Sequence, residues 1–82
     1  MDYVARTPEQ LGQILRSTRT HRGLTQGKSG AAVGLKQSTV SVIESDARRT
    51  SVETLYKLLS ALDLELVIRD KTAAPAARNR EW

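Results

Sequence analysis

The sequence contains no cysteine and a single histidine, and its only aromatic residues are two tyrosines and one tryptophan. Without cysteine there are no disulfides, thiolate metal sites or thiol nucleophiles, and a reducing compartment suits the chain. The lone His21 lies among arginines at a predicted helix end, where a solvated role outweighs a catalytic one. Paired carboxylates, a glycine-rich phosphate loop and metal-ligand spacing are all missing, so an enzyme is not expected, nor is a metal or cofactor. RNA binding by base stacking needs exposed aromatic platforms, and Tyr3, Tyr56 and Trp82 supply few. No apolar run approaches the length of a membrane span, and the N-terminus shows no signal-peptide core. These absences predict a soluble, cytoplasmic protein that makes no use of a membrane.

What is present is short and basic. The 82 residues suffice for one domain with a small core, for which dimerisation is a natural second source of stability. The formal net charge is +4. Arg16, Arg19, Arg22, Lys28, Lys36, Arg48 and Arg49 stand in one stretch against only Glu44 and Asp46. Such a stretch suits a polyanionic partner, although a solvated basic surface explains the charge alone equally well.

The periodicity predicts helices. Thr7-Pro8-Glu9-Gln10 reads as a helix start, with Thr7 as cap, Pro8 at the first position and Gln10 completing a capping box. Leu11, Ile14, Leu15 and Thr18 then form one face, and Gly23 ends the helix. A second helix begins after the cap Thr25 and runs through Gly27, Ser29, Gly30, Ala31 and Ala32 toward Gly34. Its two interior glycines each cost about 1 kcal/mol relative to alanine, so its neighbours must hold it. Gly34-Leu35-Lys36 is a tight turn. Gln37 to Ser45 makes a third helix, with Val40 and Ile43 inward and Gln37, Ser38, Ser41 and Ser45 on the opposite side. Ala47 to Thr50 is read as a loop, and Ser51 caps a fourth helix with the stripe Val52, Leu55, Leu58, Leu59 and Leu62.

Beyond residue 63 the pattern switches to a period of two, placing Leu64, Leu66 and Ile68 on one face of a short strand. A lone strand leaves its backbone groups unpaired, and nothing else in the chain reads as a partner. The same strand from a second subunit solves this with an antiparallel ribbon, in which Leu64, Leu66, Val67 and Ile68 carry the dimer. The other reading is an irregular extension packed on the bundle. The chain thus divides into an arm (1–6), a helical domain (7–63), a dimerisation strand (64–70) and a flexible tail (71–82).

The run from Leu24-Thr25-Gln26 through Gly34-Leu35-Lys36-Gln37-Ser38-Thr39-Val40-Ser41-Val42-Ile43-Glu44 resembles the helix-turn-helix of lambda-repressor-like (XRE) regulators. That family opens with leucine, Ser/Thr and Gln, turns on a glycine, and ends its polar recognition helix near a glutamate. The resemblance implies an all-α, five-helix framework over roughly residues 7–63 and binding to double-stranded DNA. Ser29 stands where the family usually has leucine, and Gly30 where it has alanine. Gly30 permits close approach of the second and third helices, whereas Ser29 is expected to thin the core.

Physical chemistry agrees with that reading. A recognition helix needs short or planar polar side chains that let its backbone approach base edges. The expected base contacts are Lys36, Gln37, Ser38, Thr39 and Ser41. Gln37 is suited to a bidentate contact with adenine, and Thr39 offers a methyl to thymine. Gln26 matches the family's glutamine that binds phosphate and buttresses the first recognition residue. Lys28, Arg48 and Arg49 are further phosphate contacts, with Lys36 also within reach of the backbone. Glu44 is expected to partner a nearby arginine, since an acid facing phosphate would repel it.

A narrower resemblance joins the helix-turn-helix, the strand region Leu64–Arg69 and the ending Glu81-Trp82. Together they look like HipB, the antitoxin of the HipA–HipB module, and Gly34-Leu35-Lys36-Gln37 also looks like its recognition-helix entry. In that family a dimer represses its own operon at a palindromic, inverted-repeat operator and holds the serine/threonine kinase toxin HipA inactive. The resemblance makes Trp82 the matching toxin-docking position; the alternative for Trp82 is a contact on its own domain. The runner-up function is a free-standing XRE repressor without a toxin, and a basic protein-interaction module is a third.

Overall fold

The computed structural model describes residues 2–71. Residues 72–82, and with them the toxin-docking expectation for Trp82, lie outside the described residues. Four α-helices and one 3-10 turn follow in chain order: α1 (Pro8–His21), α2 (Gln26–Ala31), α3 (Gln37–Ser45), the 3-10 turn (Ala47–Arg49) and α4 (Val52–Ala61). Among the described residues no helix is long and apolar enough to cross a membrane.

The helix starts obey the sequence signals. The hydroxyls of Thr7, Thr25 and Ser51 each accept an N–H from three residues on, at 3.1, 3.0 and 3.1 Å. The return half of the first capping box is displaced by one residue. Gln10 Oε1 accepts the N–H of Arg6 at 2.6 Å, not that of the capping residue. The third helix stands apart: its N-cap is Lys36, and no side chain caps it.

Three of the four α-helices end on one device. After α1 the N–H of Leu24 reaches back to the Arg19 carbonyl at 3.1 Å, across Gly23 at φ +71°. After α2 the N–H of Leu35 bonds the Gly30 carbonyl at 2.8 Å, across Gly34 at φ +76°. After α4 the N–H of Leu64 bonds the Leu59 carbonyl at 2.8 Å, across Asp63 at φ 56°. Each is a Schellman closure, a left-handed residue followed by a leucine that folds back onto the helix. All three leucines pack against the core.

That core is Leu15, Val40, Ile43, Leu58, Leu59 and Leu62, with Leu11, Leu24, Leu35, Leu55 and Leu64 around it. Two close approaches bring the helices together. A Cβ on Gly12 would stand 2.6 Å from the Glu44 carbonyl oxygen, so only glycine lets α1 lie on the end of α3. A Cβ on Gly30 would stand 2.5 Å from the Leu35 carbonyl oxygen in the closing turn and 3.1 Å from Val40 Cγ2 of α3, so this glycine also permits the expected approach of α2 and α3. Buried Ser29 donates its hydroxyl to the Gln26 carbonyl at 3.1 Å, which satisfies the polar atom that replaces an apolar one.

Several sequence expectations need correction. The second helix stops at Ala31, short of Gly34, because Leu35 closes on Gly30 and turns the chain out of the helix. Val52 is 66% exposed and leaves the α4 stripe, being the first residue after the cap. Residues 47–49 are a 3-10 turn where a loop was expected: Arg49 and Thr50 bond back three residues, to Asp46 and Ala47. The five-helix framework is therefore four α-helices and this turn among the described residues.

The segment after α4 is not a strand within the single chain. Its first leucine belongs to the helix closure, and Leu64 is half-buried in its own protomer. From there the apolar side chains turn progressively outward, with Leu66 47%, Val67 67% and Ile68 89% exposed.

Candidate nucleic-acid interface

The exposed start of α3 is tied to the interior by a continuous chain of side-chain hydrogen bonds. Arg19, from α1, grips Glu44 with two nitrogens: Nε to Oε2 at 2.6 Å and Nη2 to Oε1 at 3.1 Å. Its third nitrogen donates to the Leu24 carbonyl at 2.7 Å, in the turn before α2. Both charged side chains are largely withdrawn from solvent, at 12% and 3% exposure. Such a fork-to-carboxylate pair is geometrically rigid.

From Glu44 the chain runs outward. Gln26 Nε2 donates to Glu44 Oε1 at 3.1 Å, and Gln37 Nε2 donates to Gln26 Oε1 at 2.7 Å. Gln26 is the first residue of α2 and Gln37 the first of α3, so the turn between them places their side chains together. Gln37 itself is exposed. The uncapped N-terminus of α3 lies at the same point. Its leading backbone N–H groups and positive dipole end are suited to an anionic, hydrogen-bonding partner.

The other polar residues of α3 divide by exposure. Lys36 and Ser38 are exposed, while Thr39 and Ser41 are half-buried at the edge of the helix face. The Ser45 hydroxyl is turned back onto the Ser41 and Val42 carbonyls, at 3.0 and 3.3 Å. Lys28 and Arg49 are exposed. Arg48 is committed elsewhere: its Nε bonds Asp46 at 3.0 Å and lies 3.9 Å from Glu9. The Arg48 hydrogen bond holds the Asp46 carboxyl below its ordinary range, and the same bond raises the guanidinium.

A helix-turn-helix family matches residues 15–68 of this chain. The antitoxin HipB of Escherichia coli O6:H1 is 34% identical, over 93% of this chain and 85% of that protein. The chain belongs to the HipB antitoxin family. The solved structure of a HipB–O2 20mer complex superposes with a TM-score of 0.82 at 28% identity, covering 87% of this chain and 99% of that one. That of a HipA–HipB–O2–O3 complex gives 0.79 at the same identity and coverage.

Within this HipB-family chain the structure places Gln37, Ser38, Thr39 and Ser41 on α3 with Lys36 at its N-cap, and joins Gln26 to Gln37, the first residue of that helix. Arg48 is paired at the surface with Asp46 and lies near Glu9, with its side chain 64% exposed. Glu44 pairs with an arginine, and the arginine is Arg19. In the sequence Arg19 stands out only as one member of the basic stretch from Arg16 to Arg49. The signal for its larger role was the need of a buried Glu44 for a bidentate partner. Gly12 was missed as well, though a glycine on the apolar side of a helix marks a close approach. Arg22 is a third addition: its guanidinium donates to the Leu62 carbonyl and caps α4 from the end of α1.

Proposed function

We propose that this chain is a cytoplasmic, homodimeric DNA-binding antitoxin, one that represses its own operon and neutralises a HipA-like serine/threonine kinase. The observation that carries the DNA-binding part is the braced Gln37 at the exposed, uncapped start of α3, in a chain of the HipB family. A planar amide held in place at a helix entrance suits base-edge reading, and the neighbouring Lys36, Ser38, Thr39 and Ser41 extend the contact. Gln26, Lys28 and Arg49, with Arg48 where its acids release it, serve the phosphates. The kinase part rests on family membership and on the likeness to HipB in a complex with HipA and DNA.

In this reading two protomers place their α3 helices in successive major grooves, about 34–36 Å apart, so the operator is an inverted repeat. The ribbon formed by residues 64–70 of both subunits sets that distance. Leu66, Val67 and Ile68 supply its apolar side chains, with Leu64 anchoring its base to each core. Trp82 is the proposed docking residue for the kinase, since a terminal tryptophan offers a large apolar area per ordered residue.

The test uses the full chain and the DNA upstream of its own gene. Specific binding should survive competitor DNA and weaken with salt, with a slope of about −0.9 per phosphate neutralised. Pull-down from the native host should recover a kinase-like protein that is lost on removal of Glu81-Trp82. Recovery of operator DNA without a kinase would leave a free-standing repressor, and absence of sequence-selective DNA binding would overturn the reading.

A further inference from the structure

We infer that Glu44, whose side chain is withdrawn from solvent, sets the base preference of Gln37 by fixing which way its amide faces. The inference rests on the DNA-binding reading above and deepens it. An ionised carboxylate only accepts hydrogen bonds. The Glu44 carboxylate accepts from two nitrogens of Arg19, and its Oε1 is 3.1 Å from Gln26 Nε2. Gln26 must therefore turn its NH2 group inward, which leaves its carbonyl for the next partner. The 2.7 Å contact from Gln37 then requires the NH2 of Gln37 on that side. Polarity passes along the chain from carboxylate to amide to amide, and each link has a single consistent direction.

The result is a defined edge at the entrance of α3. Gln37 retains one N–H and its carbonyl oxygen, in an order it cannot reverse without breaking the bond to Gln26. That order of donor and acceptor suits adenine, whose N7 accepts and whose N6 donates. An amide free to turn over would offer both orders, and the reversed one matches a different set of base edges. A fixed amide therefore discriminates better than a loose one of the same composition. Glu44 is a positioning residue in this account, and Gln26 its transmitter.

The test is selection of bound duplexes from a pool randomised over the half-site, using the full chain and the variants Gln37→Ala, Gln26→Leu and Glu44→Gln. Glutamine at 44 can donate as well as accept, so it no longer dictates direction. Leucine at 26 breaks the chain while leaving the Arg19–Glu44 pair untouched. Both variants should lower discrimination at least about fivefold at the one base pair that Gln37→Ala also affects, the low end for a bidentate contact. Other positions should keep their preferences. Loss of a phosphate contact at Gln26 would instead weaken all sequences alike. Unchanged selection by Gln26→Leu, or flattening spread over every position, would overturn the inference. Should Glu44→Gln fail to fold because it strands a largely buried Arg19, the double variant Arg19→Met, Glu44→Gln, which leaves no unpaired charge, supplies the test. A wild-type chain that selects no sequence would overturn the DNA-binding reading itself, a separate and recognisable failure.

Discussion

Gly27 and Gly30 look alike in the sequence, two glycines in a weak six-residue helix, and the structure gives them opposite roles. Near Gly27 an added Cβ would meet only the Thr25 hydroxyl, at 3.9 Å. Gly27→Ala should therefore stabilise the protein, by up to about 1 kcal/mol, through helix propensity alone. Gly12 behaves as Gly30 does, because its Cβ would collide with backbone that cannot move aside. Gly12→Ala should destabilise by about 1–3 kcal/mol, the usual range for overpacking. Thermal unfolding of the two alanine variants checks both signs. Equal shifts would mean that the α1–α3 approach is not tight. Composition could not separate these glycines, since the difference lies in what another helix brings near them. The pairing of Glu44 was legible as a need, but its partner Arg19, twenty-five residues away, was fixed only by how α1 crosses α3.

At the scale of elements the starts were more legible than the ends. A threonine or serine cap works through three residues of local sequence, and Thr7, Thr25 and Ser51 all cap as read. Two of the three Schellman closures were also visible as Gly23 and Gly34. The third hides behind Asp63, a side chain at φ 56° where glycine is usual, and so the period-two pattern takes in Leu64. An L-residue in this conformation is strained by about 1–2 kcal/mol, less for aspartate, and a carboxylate also opposes the negative end of the helix dipole. Asp63→Gly should therefore raise stability by up to about 1 kcal/mol after the added flexibility of glycine is counted. For a domain of this size that is a rise in Tm of about 4–8 °C. A fall in Tm would show that the Asp63 side chain makes a favourable contact that outweighs its backbone strain.

At the scale of the whole molecule the protomer leaves something undone. Its fully buried core is small, and Leu66, Val67 and Ile68 lie outward just after the last helix. The bundle was legible because helical periodicity is a property of one chain. Pairing of the 64–70 segment was legible only as an unmet requirement, since its partner is proposed to be a second copy. Val67→Pro tests that requirement with little disturbance to the helices. Proline removes one N–H and resists the middle of a paired strand, while residues 7–63 keep their caps and core. The wild-type chain should unfold at a temperature that rises with protein concentration, as a dimer must, and the proline variant should lose that dependence. Sedimentation should show the variant as a monomer at micromolar concentration. Its affinity for the operator should fall far more than its affinity for random duplex, because one recognition helix still meets phosphates but two no longer meet their half-sites in register. Equal losses on both DNAs would separate dimerisation from this segment, and the spacing of the two α3 helices would then have to come from another face of the bundle.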